Sequence, residues 1–131
     1  MELSKTRAFV IHELTGRFAI VRLNPEREVP SWAWRGSLCA VVRSGDELSI
    51  VCDQNVVPDG VRSERDWVAL KLEGPLPLSM AGVLASLLCP LASASIAVFT
   101  ISTFDTDYFL VKDDRVQQTR EILKAEGHRV D

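Results

Sequence analysis

The sequence is poor in the features that mark a catalytic or nucleic-acid-binding chain. Its only two histidines, His12 and His128, stand near opposite ends, and neither has a sequence-near cysteine or serine arranged as a nucleophile, so no catalytic residue is assigned and an enzyme is not expected. The three cysteines, Cys39, Cys52 and Cys89, are odd in number and show no Cys-x-x-Cys spacing. That argues against a disulfide framework and a zinc site, and reads as buried thiols in a reducing cytoplasm. No glycine-rich phosphate loop occurs, and no cofactor is expected. Lys and Arg number 15 against 18 Asp and Glu, for a net charge of -3, and the basic residues do not cluster. Phosphate binding draws on such clusters, so nucleic acid is not an expected partner.

The first seven residues mix charges and lack the apolar stretch of a secretory signal, which points to a cytoplasmic location. Residues 74–104 hold no charged side chain and are long enough to cross a bilayer. Pro90, several serines and a change of pattern at 93–95 divide that run into a helix-like half and a strand-like half, so no membrane partner is expected.

What is present is an ordinary globular composition, 47% hydrophobic and 25% charged. At 131 residues it suits one domain or two small lobes. Residues 8–13 and 17–23 are β-leaning runs around Thr15-Gly16 and predict a hairpin or bulged pair. Pro30 opens a brief helix that Gly36 stops. Residues 37–43 and 47–52 flank Ser44-Gly45-Asp46 and predict a second hairpin, with Gly45 free to take a positive φ. A turn at Pro58-Asp59-Gly60 and a polar connector follow, which puts the boundary between halves near residue 63.

In the second half, residues 67–73 predict a strand. Ser79 is placed as the N-cap of a helix over residues 80–88, with Val83, Leu84, Leu87 and Leu88 at helical spacing and Pro90 to end or bend it. Residues 95–102 predict a central strand, which makes a hairpin with residues 107–112 across Thr103-Phe104-Asp105-Thr106. Asp113-Asp114 open a last helix with Val116, Thr119, Ile122 and Leu123 on one face and Gly127 at its end. Residues 128–130 remain for a much-reduced final strand.

Strand, helix, strand, strand, helix is the start of the ferredoxin-like βαββαβ pattern. Residues 101–112 (ISTFDTDYFLVK), preceded by 82–88 (GVLASLL), together with 46–52 (DELSIVC) in the first half, resemble the small bacterial ACT-domain proteins related to the cytosolic arginine sensor family. The resemblance implies an α+β chain of two ACT units in tandem, residues 1–63 degenerate and 64–131 carrying the ligand loop, with antiparallel sheets and helices on one face. It also implies a regulatory sensor that binds a free amino acid or similar small zwitterion, forms a homodimer and acts on an unidentified protein partner. The alternative is a structural or protein-interaction domain that has lost its ligand.

The ligand-binding residues so implied are Ser79, Met80, Ala81, Gly82 and Ala85 at the helix start, and Thr103, Phe104, Asp105 and Asp107 at the hairpin. The chemistry suits these residue types. A helix N-terminus offers unpaired N–H groups to a carboxylate, Gly82 lets a ligand approach the backbone, and an aspartate makes a charge-assisted bond to an ammonium. Plainer roles stay open: Asp105 for turn chemistry, Asp107 bonded to Ser102 or Thr103, Gly82 for close packing, Ser79 as a cap alone. Asp105-x-Asp107 lacks the further oxygen ligands that a hard cation wants, so no metal is expected.

Overall fold

The computed structural model describes residues 7–131. In chain order the elements are β1 (Val10–Glu13), β2 (Phe18–Leu23), a 3₁₀ turn (Ser31–Trp34), β3 (Cys39–Arg43), β4 (Leu48–Asp53), a 3₁₀ turn (Gln54–Val56), β5 (Ser63–Leu72), α1 (Val83–Ser93), β6 (Phe99–Ser102), β7 (Asp107–Lys112), a 3₁₀ turn (Asp113–Arg115), α2 (Val116–Ala125) and β8 (Arg129–Val130). They divide into two compact units, Thr15–Val68 and Met1–Leu14 with Ala69–Asp131. The N-terminal strand thus counts with the C-terminal unit, and β5 begins in the connector that the sequence marks as polar.

In the unit Thr15–Val68 the strands lie in the order β3-β4-β2-β5. Numbered within the unit, that is second, third, first, fourth, the ferredoxin-like order with both helices reduced to 3₁₀ turns. Its core gathers Ala19, Val21, Leu23, Leu48, Ile50, Cys52 and Val57. The β3–β4 hairpin forms as expected, but not through a positive φ at Gly45, which is absent from the positive-φ glycines. The Ser44 hydroxyl instead accepts the N–H groups of Asp46 and Glu47, so a side chain closes the turn. The predicted hairpin or bulged pair of the first two strands does not form: β1 pairs with residues 70–72 and β2 with residues 63–67, both on β5.

The other unit orders its strands β6-β7-β5-β1-β8. β1 lies antiparallel to β5 where a last strand would stand, and the two-residue β8 adds to it in parallel at the edge. Ile11, Leu70, Leu72, Phe109 and Val111 pack against Val83, Leu87 and Leu91 of α1 and Leu123 of α2 in one apolar cluster. The spacing of 83, 87 and 91 is one helix face, and the spacing of 70 with 72 and of 109 with 111 is one sheet face. Among the described residues β6 pairs only with β7, so the run expected to be a central strand is an edge strand of four residues. Residues 95–98 fall outside it, Ser95 and Ile96 forming the turn that stops α1. No helix is long and apolar enough to cross a membrane among the described residues. Of the cysteines, only Cys52 is buried, with Cys39 half-buried and Cys89 exposed, which corrects the reading of all three as buried.

Pro90 neither ends nor visibly shortens α1, which runs three residues beyond it. The lost donor is offset by Leu91, fully buried one residue later. α1 then stops in a Schellman motif: Ser95 sits at φ 59, its N–H donates to the Ala92 carbonyl, and the Ile96 N–H donates to Leu91. α2 ends in the same way with Gly127 at φ 95. Because a left-handed serine carries a steric cost that glycine does not, Ser95→Gly is expected to stabilise the protein by about 0.5–1 kcal/mol, read as a rise in the denaturation midpoint.

His128 is buried, stacks on Phe9 with ring centroids 5.7 Å apart, and accepts the Phe9 N–H at Nδ1 at 3.0 Å. Burial holds its pKa below the ordinary histidine value of 6.5, with Glu126 acting weakly the other way. The unfolded chain therefore takes up this proton more readily. The stability His128 contributes is complete above about pH 6.5 and is lost as pH falls below that value toward the lower folded pKa. Melting temperature followed from pH 7.5 to 5.0 should fall, and His128→Asn, which keeps an acceptor without the titration, should flatten that fall.

Candidate functional site

Two segments of the C-terminal unit define the site, the stretch between β5 and α1 and the β6–β7 loop. The loop is closed by Thr103, whose hydroxyl donates to the Thr106 carbonyl at 2.9 Å and accepts the Thr106 N–H at 3.2 Å. Thr106 is buried, and its own hydroxyl donates to the Leu72 carbonyl at 2.8 Å. The Leu76 N–H donates to the Asp105 carbonyl at 2.6 Å. A cis peptide joins Gly74 and Pro75. A Cβ at Gly74 would stand 2.9 Å from the Asp105 carbonyl oxygen, so only glycine permits this approach. Backbone and threonine hydroxyls thus hold the two segments side by side.

The helix start lies three residues beyond its expected place. α1 begins at Val83, with Gly82 at its N-cap in the left-handed conformation, φ 78, and no side-chain cap. Ser79 is therefore not the cap; it is exposed in the turn before it. A Cβ at Gly82 would meet nothing within 4 Å, so the glycine is needed for its positive φ and not for close packing. The first helical acceptor is the Gly82 carbonyl, which receives the Ser86 N–H at 3.0 Å. The N–H groups of Val83, Leu84 and Ala85 are left without an intrahelical partner.

An open cavity of about 390 Å³ lies between these segments. Met80, Gly82 and Ala85 line it from the helix side, and Thr103, Phe104 and Asp107 from the hairpin. Those are six of the nine residues the sequence selects. Ser79, Ala81 and Asp105 do not line it; all three are exposed, and Asp105 contributes to the architecture through its backbone carbonyl. Val83, Leu84 and Thr106 also line it, from within the stretches that the sequence marks. So does Leu78, 72% exposed at the rim. Leu76, Pro77 and Ser102 were not legible as lining residues. Leu76 and Pro77 belong to the strap that the Leu76 N–H ties to the hairpin through the Asp105 carbonyl. Ser102 stands opposite Asp107 in the β6–β7 register.

Among the described residues Asp107 is the one ionisable side chain in the lining, and it is half-buried. Neither alternative partner engages it: the Thr103 hydroxyl is committed to Thr106, and no hydrogen bond or ion pair of the Asp107 carboxylate occurs among the described residues. One carboxylate thus shares a cavity with the open end of a helix. No group of three or more His, Cys, Asp or Glu that could hold a metal occurs among the described residues.

Strand order, helix placement and cavity together define an α+β protein of ferredoxin-like class. Residues 62–125 match the ACT domain family model, and residues 16–60 match a second model, of an N-terminal domain. The chain is an ACT-domain protein. The crystal structure of a protein from Agrobacterium tumefaciens is similar at 32% identity and TM-score 0.91, covering 96% of this chain and 94% of that one. A Vibrio cholerae protein described as of unknown function is similar at 18% identity and TM-score 0.73, covering 91% and 90%. The regulatory subunit of aspartate kinase from Thermus flavus shares the fold at 11% identity and TM-score 0.65, covering 92% and 99%. No curated protein matches the sequence.

Proposed function

We propose that this chain is a cytoplasmic regulatory sensor that binds a free α-amino acid in the cavity between the start of α1 and the β6–β7 hairpin. The observation that carries the reading is the pairing, in one cavity, of the 83–85 N–H groups, which lack intrahelical partners, with the Asp107 carboxylate, which has no partner among the described residues. An amino acid needs that pairing, because its carboxylate and its ammonium sit on one carbon. The helix end suits the first group and Asp107 the second. The ACT family match supports the reading, as does the regulatory role named for the Thermus flavus neighbour.

A closer affiliation with the cytosolic arginine sensor family belongs to this proposal, as do a homodimer and a protein partner that the ligand-bound form engages. Thermal shift against the twenty amino acids is the test. A ligand at 100 times its Kd adds about 2.7 kcal/mol, so at least one amino acid is expected to raise the melting temperature clearly. Twenty flat responses from a folded sample would favour the ligand-free interaction module. Light scattering should return twice the chain mass of 14.6 kDa.

A further inference from the structure

The polar inventory of the cavity is nearly spent before a ligand enters. The Thr103 hydroxyl is committed to the loop and the Thr106 hydroxyl to the Leu72 carbonyl. That leaves the exposed Ser102 hydroxyl, Asp107 and the helix N–H groups. The rest of the wall is apolar, with Leu76, Leu78, Met80, Val83, Leu84 and Phe104. Leu78 and Phe104 are 72% and 79% exposed, so their apolar surface is open to a ligand that would cover it.

Resting on the reading above, we propose that the site selects amino acids with a large uncharged apolar side chain and rejects charged ones, arginine included. An acidic side chain brings a second carboxylate into a cavity whose one ionisable group among the described residues is itself a carboxylate. A basic side chain brings a second cation where the Asp107 carboxyl is already matched to the ammonium. Either surplus charge would be desolvated without a partner.

Calorimetric titration should use leucine, isoleucine, methionine and phenylalanine against aspartate, glutamate, lysine and arginine, with isoamylamine as leucine lacking its carboxylate. The expected result is binding by members of the first group at least tenfold tighter than by any of the second, with isoamylamine weaker than leucine. A charged amino acid binding as tightly as the best apolar one would overturn the selectivity and leave the amino-acid site standing. No binding by any of them would overturn both.

A different observation carries a second inference. Cys39 and Cys52 are register partners on β3 and β4, and both belong to the core side of the Thr15–Val68 unit. The Ser44 N–H donates to the Glu47 carbonyl, so the 44–47 pair is hydrogen-bonded, and alternation down the ladder makes 39–52 a non-hydrogen-bonded pair. The opposite edge of β4 agrees: the Gln54 N–H donates to Arg17, which assigns the backbone groups of residue 52 to β2. In a non-hydrogen-bonded pair the Cα atoms stand about 4.5 Å apart, within the span of a disulfide.

We infer that Cys39 and Cys52 form a cross-strand dithiol that oxidised glutathione converts to a disulfide. The half-buried Cys39 thiolate attacks the oxidant, releasing one glutathione thiolate. The Cys52 thiolate then displaces the second, so two thiols lose two protons and two electrons while one oxidised glutathione becomes two reduced ones. Burial pushes the Cys52 thiol up to about 11, which makes closure slow at neutral pH and faster in alkali. After incubation at pH 8.5 with oxidised glutathione, the intact mass should fall by two hydrogens. Peptide mapping should join residues 39 and 52, and the melting temperature should rise in the wild type but not in Cys39→Ser. A stable glutathione adduct at Cys39 with no 39–52 linkage would overturn the inference.

Discussion

Replacing Asp107 with alanine is expected to weaken amino-acid binding ten- to a hundredfold and leave the melting temperature of the free protein unchanged or slightly higher. The loss corresponds to about 1.5–3 kcal/mol, the range for a hydrogen bond to a charged group. The free protein is spared because the carboxylate has no partner among the described residues, so its removal breaks no internal bond. Asp105→Ala is the matched control. Its side chain is exposed and outside the cavity lining, while its backbone carbonyl, which holds Leu76, survives the substitution. Titration calorimetry on the two variants separates a recognition role from general acidity of the loop: both weakened alike would deny Asp107 its assigned place.

Leu87→Ala should give the largest loss of stability. Leu87 is fully buried, one turn from Val83 and one turn from Leu91, in the cluster that joins α1 to β1, β5 and β7. Removing it deletes buried methyl groups and leaves a cavity, at a cost of about 2–5 kcal/mol. For a chain of this size the melting temperature should drop by roughly 10 °C. Because the same helix presents its start to the cavity, ligand affinity should fall as well. Leu88→Ala, half-buried on the neighbouring helical position, should cost much less. Equal losses at the two positions would contradict the face assigned to α1.

The second half of the fold was legible because its patterns are strong. Period-2 apolar spacing in β7, helical spacing at 83 and 87, acidic residues before α2 and Gly127 after it all correspond to observed elements. What failed is pairing and boundaries. Nothing local in residues 10–13 says that they pair with residues 70–72, and adjacency in sequence favours the hairpin that does not form. The start of α1 was misplaced because Ser79 carries a common N-cap signature, whereas the cap used is Gly82, which offers only a backbone conformation. Ser95 in the left-handed region, where glycine is usual, likewise hid the helix end.

At the site, residue chemistry was legible and exposure was not. Asp107 stood out as a charge opening an apolar strand, and it lines the cavity. Asp105, two residues earlier, lies in the bend before β7, where its side chain is exposed and its carbonyl serves the fold by accepting the Leu76 N–H. Leu76 and Pro77 joined the wall on a strap held by a cross-loop hydrogen bond, which local sequence does not announce.

Amide chemical-shift mapping during titration with leucine tests the central claim most directly, because it reads the helix end and the hairpin together. Saturable movement of the amides of Val83, Leu84 and Ala85 along with those of residues 102–107, and little elsewhere, is the predicted result. Saturable shifts that gather on other elements while both of these segments stay still would contradict it.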